Sequence, residues 1–350
     1  MTENRSDSFP WWQSRRVRLL GGAALGIAAT VLIAGWMLLQ QRETPPPAAL
    51  IDEDEELPEE IPELPADITY GERQDILPPM VRIEAESVAD LELAFERFGY
   101  QWPPGGEVPA LSVVSFPPLG DLTVDERRAV FFRTLLPLVV AENQIMLATR
   151  EAIADAYADG SIDSDSREER LLQTLASRFR VDGDVNDAAF RDELLRRVDV
   201  VPPSMALAQA ANESGWGQSR FTREANNLFG VWTWQEDRGI VPERRAAGAT
   251  HFVRVFPDLR ASVRNYLYTI NVGNAYSGLR DVRENLRARG EALTGMRLAE
   301  GLEQYSERGE AYVAEIQSMI RSNQLEEMET PELVPVDVQR LLEAPVDPLN

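Results

Sequence analysis

Residues 19–39 form an uncharged, mostly apolar run of 21 residues, long enough as a helix to cross a bilayer core of roughly 30 Å. Arg5, Arg15, Arg16 and Arg18 precede the run and Arg42 alone follows closely. The positive-inside rule therefore keeps the N-terminus cytoplasmic and exports the remainder. A cleaved signal peptide is the competing reading, but Trp36, Met37, Leu38, Leu39 and Gln40 offer no small-x-small cleavage site. Beyond the run, residues 43–67 hold ten acidic residues, six prolines and no basic residue, a composition that resists folding and extends by self-repulsion.

From there on the pattern is mostly of helical period. Residues 87–98 place Val88, Leu91, Phe95 and Phe98 on one face and predict a short amphipathic helix that Gly99 ends. Residues 111–116 read as a brief strand closed by Pro117 and Pro118. A long helical pattern covers about 123–158, with Thr123 or Asp125 as its cap and Pro137 expected to kink or divide it. Helical patterns return near 166–178 and 187–198. Another starts at Pro202 and Pro203 and runs to Glu213 before Ser214 and Gly215. Residues 240–245 and 250–256 read as the two strands of a hairpin. The predicted fold class is mainly α (α+β).

Composition narrows the chemistry. The net charge is −23 and all 35 basic residues are arginine, a balance that argues against a broad grip on nucleic acid. The chain has no cysteine and one histidine, His251, so disulfides, thiolate nucleophiles and Cys/His zinc sites are excluded. No metal or other cofactor is expected, and carboxylates and tyrosines remain as the reactive groups. Glu213 closes a helix, where the negative end of the helix dipole and partial burial both raise a carboxyl pKa, as a general acid requires. From helix position alone, an exposed terminal glutamate is the plainer reading.

The segment Ala208-Gln209-Ala210-Ala211-Asn212-Glu213-Ser214-Gly215-Trp216-Gly217, then Ser219-Arg220-Phe221 and Asn226-Asn227-Leu228-Phe229-Gly230, resembles glycoside hydrolase family 73. Within this mannosyl-glycoprotein endo-β-N-acetylglucosaminidase-like family, it is most similar to the bacterial Bax-type proteins, which are unrelated to the apoptosis regulator. The resemblance covers about 111–325 and is most specific over 209–234. It implies a lysozyme-like helical lobe, a small β-hairpin lobe, a groove between them, and N-acetylglucosaminidase activity on the glycan strands of peptidoglycan.

By the same resemblance Glu213 matches the family's general acid, and Tyr305 a tyrosine completing the active site opposite it; Tyr312 reads as structural. Glu236, Asp237 and Glu243 compete for the second carboxylate. Glu243 is preferred because the first hairpin strand would project it toward the groove, a solvated hairpin charge being the other reading. Ser214 and Trp216 would shape the turn after the catalytic helix and border the substrate. Asn226, Asn227, Phe229 and Gly230, with Trp232 beyond them, would line the groove for acetamido groups and sugar rings, although Phe229 reads equally as core. His251 is read as structural or substrate-adjacent and not as a metal ligand.

The expected organisation is a cytoplasmic 1–18, a transmembrane helix at 19–39 in the bacterial inner membrane, and an acidic, disordered linker at 40–77. A mainly helical region follows at 78–200, packing on a periplasmic catalytic domain at 201–325, with a tail at 326–350. An envelope protein partner stays unidentified. Two other functions stay open: a lytic transglycosylase, which also uses a helix-end glutamate, and a catalytically silent peptidoglycan-binding scaffold.

Overall fold

The computed structural model describes residues 61, 76–242, 245, 248–306 and 308–337. The predicted anchor at 19–39 lies outside the described residues, as does nearly all of the linker. The described chain is mainly helical with three small sheets. Ile61, inside the predicted linker, packs on the smaller of two hydrophobic cores.

The N-terminal half begins with strand β1 (Val81–Ile83) and helix α1 (Val88–Arg97). Ser87 caps α1 reciprocally with Asp90, which satisfies two amides otherwise left without a partner at a helix start. Strands β2 (Glu107–Pro109) and β3 (Leu111–Val113) follow, β3 pairing in parallel with β1 at Val81 opposite Leu111. Helix α2 (Val124–Ala156) is capped in the same reciprocal way by Thr123 and Glu126.

Pro137 was expected to kink or divide this helix; it does not divide it, and α2 is one helix from Val124 to Ala156. The reason lies in its surroundings: every residue from Val130 to Asn143 is buried, so packing on all sides holds the turn that lacks one amide donor. Among the described residues α2 is the one helix long and apolar enough to cross a membrane, and 83% of its apolar window is buried inside the protein. It is the central core helix of this body.

Helices α3 (Arg167–Phe179) and α4 (Ala188–Arg197) come next. They build the smaller core around Ile153, Leu172, Phe179, Phe190 and Leu194. Helix α5 (Pro203–Ser214) starts on Pro203, where a missing N–H costs nothing. Its residues from Met205 to Ala211 are all buried in the larger core with Phe131 and Leu135 of α2. Four of those seven are alanines, which lets neighbours approach closely. Gly295, at the start of the short helix α9 (Gly295–Leu298), lies so near that a Cβ there would fall 2.7 Å from the Met205 backbone nitrogen.

After α5 come helix α6 (Arg220–Ala225) and a three-stranded antiparallel sheet of β4 (Trp232–Thr233), β5 (Gly239–Ile240) and β6 (Phe252–Arg254), with β6 central. The predicted hairpin is present but shorter than its pattern suggested. Its first strand ends at Ile240, and Val241 and Pro242 continue without pairing. A third strand, β4, had been read as part of the groove segment.

Helix α7 (Leu259–Val272) then crosses the body. Val263, Tyr266, Leu267 and Ile270 enter the larger core while Tyr268 and Val272 enter the smaller. Helices α8 (Ser277–Ala288) and α10 (Glu310–Ser322) complete the larger core. The chain closes with β7 (Glu332–Val334), which pairs in parallel with β2 at Val108 opposite Leu333. The predicted tail therefore begins too early: Met328 is 2% exposed and residues to 334 belong to the folded body.

Two polar devices fix α5. Asn143 of α2 donates to the Val201 carbonyl at 2.7 Å and accepts from the Val201 amide at 3.1 Å. One residue pair earlier, Asp199 is buried against Arg287 at 2.7 and 3.1 Å, with Arg150 and Arg283 near 3.7 and 3.8 Å. Arg283 also donates to the carbonyls of Arg196, Asp199 and Val200. The entry to α5 is thus pinned from α2 and α8 together.

Candidate active site

Glu213 sits in the last turn of α5, ahead of a C-cap at Gly215 in the left-handed region at φ 57°. Trp216 (φ 61°) and Gly217 (φ 75°) continue in that region, so the chain leaves the helix in an abrupt reversal that only glycine adopts freely. Ser214 holds the reversal by donating to the Ala210 carbonyl at 2.6 Å and accepting from the Gly217 amide at 2.9 Å. Ser214 is fully buried; its hydroxyl is engaged inside the turn and is not presented to a ligand, contrary to the substrate-binding role predicted for it. Trp216 packs edge-on against Phe131 and Phe132 of α2, with the Arg128 guanidinium 5.1 Å from its ring centroid.

Tyr312 of α10 donates its hydroxyl to Glu213 Oε1 at 3.0 Å, and Asn212 Nδ2 lies 3.4 Å from the same oxygen. Burial raises the Glu213 pKa. The hydrogen bonds from Tyr312 and Asn212 and the charge of Arg308 oppose that rise, and Glu315 adds to it. The net result is a carboxyl held proton-bearing to higher pH than a free glutamate. Tyr305 packs between Tyr276 and Tyr312, with ring centroids 5.3 and 5.0 Å away. Burial, reinforced by the negative charge of Glu213, pushes the pKa of Tyr266, Tyr276, Tyr305 and Tyr312 up, so all four phenols keep their protons.

The structure thus brings Tyr305 into the tyrosine cluster around Glu213, but the hydroxyl on the carboxylate belongs to Tyr312, which the sequence marks only as a structural residue. Tyr266 joins the same cluster and carries Phe229 on its face, the rings parallel within 9° and 4.1 Å apart. Phe229 remains partly exposed, so it both packs and lines the surface next to the cluster.

The remaining predicted residues divide. Asn226 caps α6 at φ 51° and donates to the Phe256 carbonyl. Asn227, 1% exposed, donates to the carbonyls of Val231 and Arg254 and accepts from the Val231 amide. Its amide is fully engaged in tying the loop to the small sheet, which corrects its predicted contact with sugar. Gly230 turns the chain at φ 70°. Trp232 stacks on His251 at 3.9 Å and 7° across the small sheet. Burial and the Arg245 charge lower the His251 pKa, so that ring is neutral at pH 7. Glu243 lies outside the described residues, while Glu236 and Asp237 are exposed in a short 3-10 turn. Among the described residues no group of three His, Cys, Asp or Glu side chains is arranged to hold a metal ion.

Comparison with known proteins gives the family of the chain. The family model for mannosyl-glycoprotein endo-beta-N-acetylglucosaminidase, the glucosaminidase domain, matches residues 189–325. That span contains Glu213, the small sheet and all four tyrosines. Protein bax of Escherichia coli (strain K12) is 30% identical over 199 residues, which is 57% of this chain and 70% of that relative. The chain belongs to the glucosaminidase family, among its Bax-type members.

No solved structure matches the chain. The glucosaminidase domain points to a glycoside-hydrolase-like protein with a peptidoglycan-related substrate. The name of the Escherichia coli relative states no activity. Matched residues start at 189, so α1, α2 and α3 precede the glucosaminidase domain, even though α2 shares the larger core with it.

Three residues of the cluster around Glu213 were absent from the sequence-based site, Gln209, Tyr266 and Tyr276. Gln209 carried a signal. It is four residues before Glu213, on the same helix face, and it is the one amide in an alanine-rich stretch whose neighbours are all buried. A buried amide requires partners.

Proposed function

We propose that this chain is a peptidoglycan hydrolase that cleaves the β-1,4 bond after N-acetylglucosamine, with Glu213 as the general acid. One observation carries the reading: a carboxyl at a helix end, its pKa raised by burial, contacted by Tyr312 within a ring of phenols. A carboxylic acid so placed delivers its proton to the departing glycosidic oxygen, and the carboxylate left behind keeps the Tyr312 hydrogen bond. Glu243, on the segment following β5, is the proposed second carboxylate. It would deprotonate a water that attacks the anomeric carbon from the opposite face. The alternative is attack by the substrate's own acetamido oxygen with Tyr305 assisting, which retains configuration.

In this reading the helical body forms one lysozyme-like lobe and the small sheet the other. Phe229 and the Trp232–His251 stack offer flat faces for sugar rings, and the groove between the lobes takes the glycan strand. The run at 19–39 anchors the protein in the inner membrane, with the acidic segment 40–77 as a tether and the catalytic body in the periplasm.

The test is incubation of the full-length protein in detergent micelles with purified peptidoglycan, beside Glu213→Gln, with fragments reduced by borohydride and read by mass spectrometry. Reduced N-acetylglucosamine ends that the variant does not produce are the expected result. Anhydromuramic ends would replace the reading with a lytic transglycosylase, and no fragments from either protein would replace it with a glycan-binding scaffold.

A further inference from the structure

We infer that Gln209 is a positioning residue for the acid: its side-chain amide fixes which way the Tyr312 proton points, and so which oxygen of Glu213 carries the proton to be donated. The inference rests on the reading of Glu213 as the general acid.

Gln209 and Glu213 lie one turn apart on α5 and share a face. Gln209 is 1% exposed. Its Oε1 accepts from the Tyr266 hydroxyl at 2.6 Å, and its Nε2 lies 3.1 Å from the Tyr312 hydroxyl oxygen. An amide nitrogen only donates, so on that side the Tyr312 oxygen is an acceptor. A phenol has one proton, and the contact left for it is Glu213 Oε1 at 3.0 Å.

The opposite orientation of the amide would turn Oε1 toward Tyr312, take that proton and leave Glu213 without it. Tyr266 prevents this, because its own buried proton needs the Gln209 carbonyl oxygen. The chain of hydrogen bonds therefore has one polarity, from Tyr266 through Gln209 and Tyr312 to Glu213.

The chemical consequence concerns Glu213 itself. An Oε1 that accepts from Tyr312 is the carbonyl-type oxygen of the neutral acid, so the transferable proton resides on Oε2. When Oε2 gives its proton to the glycosidic oxygen, Oε1 already has a donor in place for the new negative charge. The groups that face this carboxyl are Tyr266 from α7, Tyr276 and Tyr305 from the segments between helices, Arg308, and Tyr312 and Glu315 from α10. Only the Tyr312 branch runs through Gln209.

The experiment compares the pH dependence of reducing-end release from peptidoglycan for the full-length wild type, Gln209→Met, Tyr266→Phe, Tyr312→Phe and the double variant Gln209→Met/Tyr312→Phe. Gln209→Met is expected to lower kcat about tenfold with apparent KM within about twofold, and to move the basic limb to higher pH. In the Tyr312→Phe background the same substitution is expected to change kcat less than about twofold. Tyr266→Phe is expected to move the limb in the same direction, and it serves if Gln209→Met does not fold.

Additive losses in the double variant, or an unmoved limb in a folded single variant, overturn the inference. The 13C-carboxyl resonance that Glu213→Gln removes gives a reading independent of turnover. Its titration moves upward in Gln209→Met if the amide orients Tyr312, and stays in place if it does not. A wild type that cleaves no glycan, with that upward movement still present in Gln209→Met, would refute the proposed function and keep the positioning role.

Discussion

Glu213 is an acid whose strength is set by opposing influences of different reach. Burial acts on it from all sides and raises its pKa, while the Tyr312 hydroxyl acts at one oxygen and lowers it. Removing Tyr312's hydroxyl leaves burial less opposed, so the carboxyl keeps its proton to still higher pH. Tyr312→Phe is therefore expected to move the basic limb of glycan cleavage upward while lowering kcat, as read from initial rates across pH. A limb moving downward would mean that Tyr312 does not donate to the carboxylate. At this scale the sequence was legible where a motif was specific. Glu213 and Tyr305 were singled out because their neighbours in the chain resemble a known motif, and both lie in one buried cluster, whereas Tyr312 looks like any core aromatic in an amphipathic helix. Its role depends on a contact across 99 residues, and no local pattern encodes that.

Elements were more legible than contacts. Thr123 was expected to cap the long helix and does so, and Ser87 and Ser166, the first residues of two predicted helical patterns, cap their helices as well. Pro137 does not divide its helix because the penalty of a helical proline is local, while the burial that outweighs it belongs to the whole core. The first hairpin strand was overread because short strands carry little pattern. Where elements touch, small residues decide. Gly301, in the 3-10 turn Ala299–Leu302, lies so close to α8 that a Cβ would stand 2.3 Å from the Leu279 Cα. Backbone cannot move aside as a side chain can. Gly301→Ala is expected to destabilise the protein by about 1–3 kcal/mol, measurable as a lower urea midpoint, and an unchanged midpoint would show that this contact relaxes freely.

Over the whole molecule, the larger core and a buried ion cluster hold the helix bearing Glu213. Burial acts to raise the Asp199 pKa, but Arg287, Arg283 and Arg150 prevail and hold it below the usual carboxylate range. Burial in turn pushes the Arg283 guanidinium down to about 10. A depressed carboxylate pKa contributes stability above the unfolded value of about 3.9, and that stability is lost as pH falls through the folded value. Asp199→Asn leaves Arg283 buried beside an uncharged group. It is expected to cost about 3–5 kcal/mol at neutral pH and to flatten the acid limb of stability, both read from thermal unfolding between pH 3 and 7. A variant as stable as wild type would mean that the arginines need no counter-ion there. None of this cluster was foreseen, since Arg150, Asp199, Arg283 and Arg287 look like solvated helix charges until the helices are assembled.

The pairing of β2 with β7 sets the order of events in the life of the chain. Val108 and Leu333 are more than two hundred residues apart in sequence, yet they stand opposite each other in register in one two-stranded sheet. A body whose second strand waits for its last cannot close while the ribosome is still making the intervening helices. The body is therefore completed only once β7 has been made, and a nascent or shortened chain without β7 lacks the partner of β2.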